Sequence, residues 1–266
     1  MDAEKFEIIN IIFALILLKW SMEMCTAITY KTKDFYFGRN LDYYMSFGEE
    51  IVIVPRKYNI QFKNAMDNDN HYAIIGMAHV EKIIDKKIMK EKEYPLFYDA
   101  INEKGLAIAG LNFVGNAIYC SCKDNVDNIA YYELILWILC QCSSIKEVRD
   151  LIKRINITSD VFKDDLPIAQ LHWIIADKNE AITLETTEEG IKIHDNPVGV
   201  LTNNPTFDKQ MFNLNNYMHL ATKDPKNTFL NELDLKVYSK GMGAIGLPGD
   251  VSSMSRFVRA TFNKMN

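Results

Sequence analysis

The stretch MCTAITYKTKDFYFGRNLD, residues 24–42, alternates side chains on either side of Lys33-Asp34, the pattern of two strands joined by a tight turn. Cys25 opens the first strand, and GRNLD at the end of the second returns Arg39 and Asp42 to its side. A cysteine that becomes residue one of a mature chain carries a thiol and a free amine on one carbon. An internal thiol has a pKa of about 8.5, whereas an α-amino group lies at about 7.7–8.0 and can take the thiol's proton near neutral pH. Such a residue is nucleophile, base and acid together. It needs a cation near the sulfur, a carboxylate for the amine and amide donors for an oxyanion. Arg39 and Asp42 meet the first two needs; Asn112 in AGLNF and Asn203 in LTNNP are candidates for the third.

The rest of the sequence bounds this reading. The chain has 266 residues, a net charge of −5, 48% hydrophobic and 24% charged residues, the composition of an ordinary globular domain. No basic footprint for phosphates is present, so nucleic acid is not an expected partner. The five cysteines, at 25, 120, 122, 140 and 142, are odd in number and suit a reducing cytoplasm better than a secreted disulfide framework. Their C-x-C pairs are closer than structural zinc ligands usually stand, and we read them as small buried hydrophobes. His71, His79, His172, His194 and His219 show no ligand spacing and are read as surface or satisfied core residues.

Residues 1–23 contain the run IINIIFALILL, residues 8–18, too short to span a membrane and lacking the positive start and cleavage site of a signal peptide. We expect an extension outside the mature protein, upstream sequence read in frame before Met24, rather than an amphipathic segment resting on a membrane; stable membrane insertion is not expected.

Further along, Glu50 to Val54 reads as a third strand closed by Pro55. The Lys- and Glu-dense segment EKIIDKKIMKEKE, residues 81–93, reads as a solvated loop or short surface helix ended by Pro95. YYELILWILCQC, residues 131–142, reads as a buried helix. Ser144 and Glu147 form a capping box for the next, along which Ile145, Val148, Leu151, Ile152 and Ile155 recur at helical spacing. LHWIIAD, AITLETT and IKIHD then read as an antiparallel meander turning at Lys178-Asn179 and Glu188 to Gly190. GMGAIGLPGD, residues 241–250, reads as a turn-rich connection. Strands, helices, then strands without a linker indicate one α+β domain over 25–266, with helices layered on antiparallel sheet.

The ordered series MCTAITYKTKDFYFGRNLDYY, PLFYDAINEKGLAIAGLNF, LHWIIAD, VGVLTNNPTFD and IGLPGDVSSMSRFVRATF closely resembles the choloylglycine hydrolase family, the bile salt hydrolases and penicillin V acylases of gut bacteria. The resemblance runs from Met24 to the last residue. It implies a four-layer αββα N-terminal-nucleophile fold, no cofactor and no metal. Its substrate would be a small molecule, a conjugated bile salt cleaved at the amide through a thioester; relatives form tetramers. Residue by residue, Cys25 matches the nucleophile bared by loss of the initiator methionine, and Arg39 and Asp42 the pair around its thiol and amine. Asn203 matches the oxyanion side chain, Asn112 a second polar residue of that pocket, and Arg256 the arginine that orders the nucleophile. Leu41 is expected in the wall that holds the steroid. Asn rather than Tyr at position 112 resembles the bile salt branch.

Against the family pattern, the chain carries residues 1–23, which if retained would acylate the amine that must act as base. It stops at Asn266, where relatives continue with a helix and strands, so an incomplete sheet with unpaired edges is expected. The 81–93 segment is longer than its counterpart, Val114 stands where Pro is common, and VSSMSRF lacks the usual Pro. A penicillin V acylase, an inactive truncated family member, and a binding or membrane-resting protein on the same scaffold are the alternative readings.

Overall fold

The computed structural model describes residues 24–43, 46–66, 70–85, 88–163 and 167–266; the extension expected over 1–23 lies outside them. The hairpin forms as read. β1 (Thr26–Lys31) and β2 (Phe35–Asn40) pair antiparallel with Ala27 opposite Arg39. Further strands are β3 (Glu50–Val54), β4 (Ile74–Ile84), β5 (Glu91–Asn102), β6 (Ala107–Asn112) and β7 (Asp127–Ala130), followed by α1 (Leu134–Gln141), α2 (Ile145–Ile152) and β8 (Ile155–Thr158). The meander β9 (Leu171–Ala176), β10 (Ala181–Thr187) and β11 (Gly190–Asp195) precedes β12 (Val200–Leu201), α3 (Phe207–Asn213) and α4 (Ser253–Met265).

Two main sheets result: a small one in the order β12-β1-β2 and a large one in the order β11-β10-β9-β6-β5-β4-β3. The central strands β6, β9 and β10 of the large sheet are buried on both faces because both are covered. Ile108, Trp173, Ile175, Ile182 and Leu184 point into a core shared with α1 and α2. Ala109, Leu111 and Ile174 point the other way, onto Ala27 and Leu201 of the small sheet. α1 is buried at every position from Leu134 to Cys140, as an all-round apolar helix must be. α4 lies on the outer face of the small sheet, against β1 and β12, with Phe257 and Val258 buried; each such side chain contributes about 1.5–3 kcal/mol. Helix, sheet, sheet, helix is the expected four-layer α+β arrangement.

Three local readings are corrected. Residues 81–84 and 91–93 are no loop or helix but the ends of β4 and β5, paired as a long hairpin with Glu81 opposite Tyr94 and Ile84 opposite Glu91; residues 86–87 between them lie outside the described residues. Cross-strand Lys82–Glu91 at 3.1 Å and the burial of Ile83 against the core offset the low strand propensity of Lys and Glu. Pro95 sits inside β5 opposite Val80, where its missing N–H is harmless because β6 pairs only with Asp99 to Ile101. Ile155 belongs to β8, paired parallel with β7, rather than to α2. The cap is as read at Ser144, whose hydroxyl accepts the Glu147 N–H, but the Glu147 carboxylate returns to Ser143 N–H and Oγ. Among the described residues β2 is an outer edge, and Ile51 and Ile53 of β3 are 63% and 66% exposed.

Candidate active site

Register sets the site. Ala27 faces Arg39 on one side and Leu201 on the other, so the same antiparallel steps carried two residues back set Cys25 between Leu41 and Asn203. The turn into β12 depends on Gly199, whose φ of +57° favours glycine and whose Cβ would collide with Thr29 Oγ1. Cys25 is buried, 1% exposed.

Arg39 reaches the sulfur from β2: its Nη2 stands 3.3 Å from Cys25 Sγ. Nη1 donates to the Tyr98 carbonyl at 3.3 Å and stands 3.6 Å from the Asp99 carboxylate. A guanidinium with a 5% exposed side chain beside a thiol favours the thiolate. Burial pushes the Asp99 carboxyl up, and Arg39 draws it part of the way back. Gly76 lets β4 pair closely with β5 beside Asp99, since a Cβ there would meet the Asp99 backbone carbonyl and Ala100.

Arg256 comes from the first turn of α4, a helix capped by the Ser252 hydroxyl. Its Nη1 donates to the Cys25 carbonyl and to Thr26 Oγ1, and its Nη2 donates to Asn203 Oδ1 at 2.7 Å. Burial lowers its pKa while Cys25 and Asp42 oppose that fall; a guanidinium stays charged regardless. With Oδ1 held by Arg256, the Asn203 amide is turned so that Nδ2 donates to the Asn112 carbonyl at 2.9 Å. An amide nitrogen has two hydrogens, so one donor remains for a ligand oxygen. Asn112 Oδ1 accepts from Tyr43 at 3.3 Å.

Cys25, Arg39, Asn112, Asn203 and Arg256 are thus brought together from both sheets and α4. Asp42 lies half-buried in the same loop as Leu41 and Tyr43, close enough for its charge to act on Arg256. A cavity of about 420 Å³ opens onto Cys25, Arg39 and Asn112, walled by Leu41, Tyr98, Tyr131, Tyr132, Phe162 and Leu171. Sequence reasoning placed Leu41 there but did not single out the aromatic residues. It also missed the Tyr98 carbonyl, Asp99 and Thr26, since a strand backbone atom and a single Asp or Thr carry no distinguishing signal in sequence.

A buried cysteine just ahead of a strand, between two stacked antiparallel sheets enclosed by helices, defines the N-terminal-nucleophile hydrolase class of fold. The comparisons agree. The family model of linear amide C–N hydrolases, choloylglycine hydrolase family, matches residues 25–266. The chain is 53% identical over 244 residues to a bile salt hydrolase/transferase of Lactiplantibacillus plantarum, covering 91% of this chain and 72% of that protein. It is 38% identical over 246 residues to a bile salt hydrolase/transferase of Clostridium perfringens, covering 90% and 71%. A solved mutant of the conjugated bile acid hydrolase from Clostridium perfringens superposes with a TM-score of 0.79 at 36% identity, covering 91% of this chain and 72% of that one. A penicillin V acylase from Agrobacterium tumefaciens, with a TM-score of 0.64 at 19% identity over 90% and 64% of the two chains, shares the fold. The protein belongs to the choloylglycine hydrolase family of linear amide hydrolases. No helix among the described residues is long and apolar enough to cross a membrane.

Proposed function

We propose that the protein hydrolyses the amide of glycine- or taurine-conjugated bile acids, with Cys25 as the first residue of the mature chain. The observation that carries this reading is the Arg39 guanidinium 3.3 Å from Cys25 Sγ, at the end of a cavity whose walls are largely aromatic and apolar. A volume of about 420 Å³ suits a small ligand, and such walls suit a steroid body. The relatives named as bile salt hydrolases support the substrate class, as does Asn112. We place the protein in a reducing cytoplasm on the odd number of its cysteines.

The chemistry follows from the arrangement. The free α-amine takes the thiol proton, and Arg39 stabilises the thiolate that attacks the amide carbon. Charge moves to the carbonyl oxygen, where the spare N–H of Asn203 receives it. The protonated amine, held by Asp42, gives its proton to the leaving nitrogen; the C–N bond breaks, glycine or taurine departs, and the acyl group stays on sulfur as a thioester. Water, deprotonated by the same amine, attacks the thioester and the bile acid leaves. Arg256 fixes Cys25 and Asn203 in relation to one another throughout.

The test is release of glycine from glycocholate and taurine from taurocholate, beside phenoxyacetate from penicillin V. Release from the bile salts that is abolished by Cys25→Ala is expected. Turnover surviving that substitution, or cleavage of penicillin V alone, overturns the reading.

A further inference from the structure

Behind the loop that carries Asn203, His172 on β9 is fully buried, 0% exposed, and both of its ring nitrogens meet acceptors. Nε2 lies 2.8 Å from the Thr202 carbonyl, and Nδ1 lies 3.2 Å from Glu185 Oε1. A carbonyl accepts only, so Nε2 must carry a proton. Glu185 Oε1 already accepts the Phe207 N–H at 2.9 Å. Burial pushes the Glu185 carboxyl up, but its contacts, His172 first, outweigh that and leave it at about 2. The Phe113 ring stacks on the imidazole at 4.3 Å between centroids and holds its plane. The remaining titratable or charged neighbours are His194 on β11, whose Nε2 is 3.4 Å from Glu185 Oε2, and Lys192 and Asp208, which act on Glu185 and His194 through space.

We propose that His172, held by Glu185, anchors the Thr202 carbonyl through its Nε2–H and thereby positions Asn203 as the oxyanion donor. This rests on the amide-hydrolase reading above. Thr202 immediately precedes Asn203, and its hydroxyl and the Asn203 N–H are both tied to Ser253 of α4. The end of β12 is therefore pinned from two sides: by α4 through Ser253 and Arg256, and by the large sheet through His172. His172 touches neither substrate nor thiol. It is a positioning residue, and its loss lets the Asn203 amide drift while the nucleophile stays whole.

The experiment compares wild type with His172→Phe and Glu185→Gln. In ¹⁵N-labelled wild type, Nε2 of His172 carries the proton that the Thr202 carbonyl accepts. In either variant, kcat on glycocholate falls about tenfold or more, the cost of a small misplacement, with KM little changed. Iodoacetamide alkylates Cys25 at the wild-type rate, and the Asn203 side-chain amide resonance shifts. His172→Gln, whose amide can still donate to Thr202, recovers part of the rate. A His172 Nε2 without a proton in wild type, an unchanged kcat and Asn203 resonance, or alkylation falling in step with turnover overturns the proposal. The two NMR readouts need no turnover, so a chain that cleaves no bile salt would sink the functional reading and leave this one standing or falling by itself.

Discussion

Arg39 Nη2 stands 3.3 Å from Cys25 Sγ while Nη1 of the same guanidinium stands 3.6 Å from Asp99, so one buried cation faces a thiol on one side and a carboxylate on the other. Removing the cation takes away the charge that favours attack by the sulfur. For Arg39→Leu, iodoacetamide alkylation of Cys25 at pH 7 should slow by about tenfold or more. Asp99→Asn leaves Arg39 in place and should slow it far less. An unchanged rate in Arg39→Leu would remove Arg39 from the activation step.

Asn203 should act in the transition state more than in binding. Asn203→Ala removes one oxyanion donor, for which a loss of about 10²–10³ in kcat is expected, with KM for glycocholate nearly constant. A rise in KM at constant kcat would instead make Asn203 a ground-state contact.

The cavity wall carries the opposite signature. Leu41→Ala takes away part of the apolar surface beside Cys25 and should raise KM by about 10-fold, the scale of one to two methylenes in a hydrophobic pocket, leaving the alkylation rate of Cys25 alone. Equal KM values for the two proteins would place the steroid elsewhere.

Glu133 gives a stability prediction with a definite sign. Burial pushes its carboxyl up to about 7, although the Lys63 N–H and the Tyr94 hydroxyl both donate to Oε1. An acid held more tightly protonated in the fold than in the unfolded chain costs stability as pH rises, here from about 4.5 through about 7, by roughly 1–3 kcal/mol. Glu133→Gln keeps an acceptor for both donors and removes the titration. Denaturant unfolding at pH 5 and pH 8 should show wild type losing more stability over that interval than the variant; parallel losses would contradict the assignment.

How much of this was legible in the sequence depends on where each signal lay. The β1–β2 hairpin was, because its turn and its register both sit within one continuous stretch. The meander from β9 to β11 was, because its turns are marked by Lys178-Asn179 and Glu188 to Gly190. The tip of the β4–β5 hairpin was not: Lys82 and Glu91 lie in a ribbon whose charges pair across strands, so no apolar alternation marks it. Arg39 and Asp42 could be reasoned from the chemistry of Cys25, but Arg256 lies 231 residues from it in sequence, and only family resemblance connected them. The aromatic wall of Tyr131, Tyr132 and Phe162 reads as core in any one-dimensional view, because an aromatic facing a cavity and one facing a core share the same sequence pattern. His172 was read with the other histidines as a surface or satisfied core residue; that it is buried and that its partner is the carbonyl next to Asn203 follow only from three-dimensional pairing.

The central claim is that Cys25 works as the first residue, with its amine free. N-terminal sequencing of protein active on glycocholate measures this directly. The account predicts a single sequence beginning Cys-Thr-Ala-Ile; active protein that begins upstream of Cys25 would contradict it.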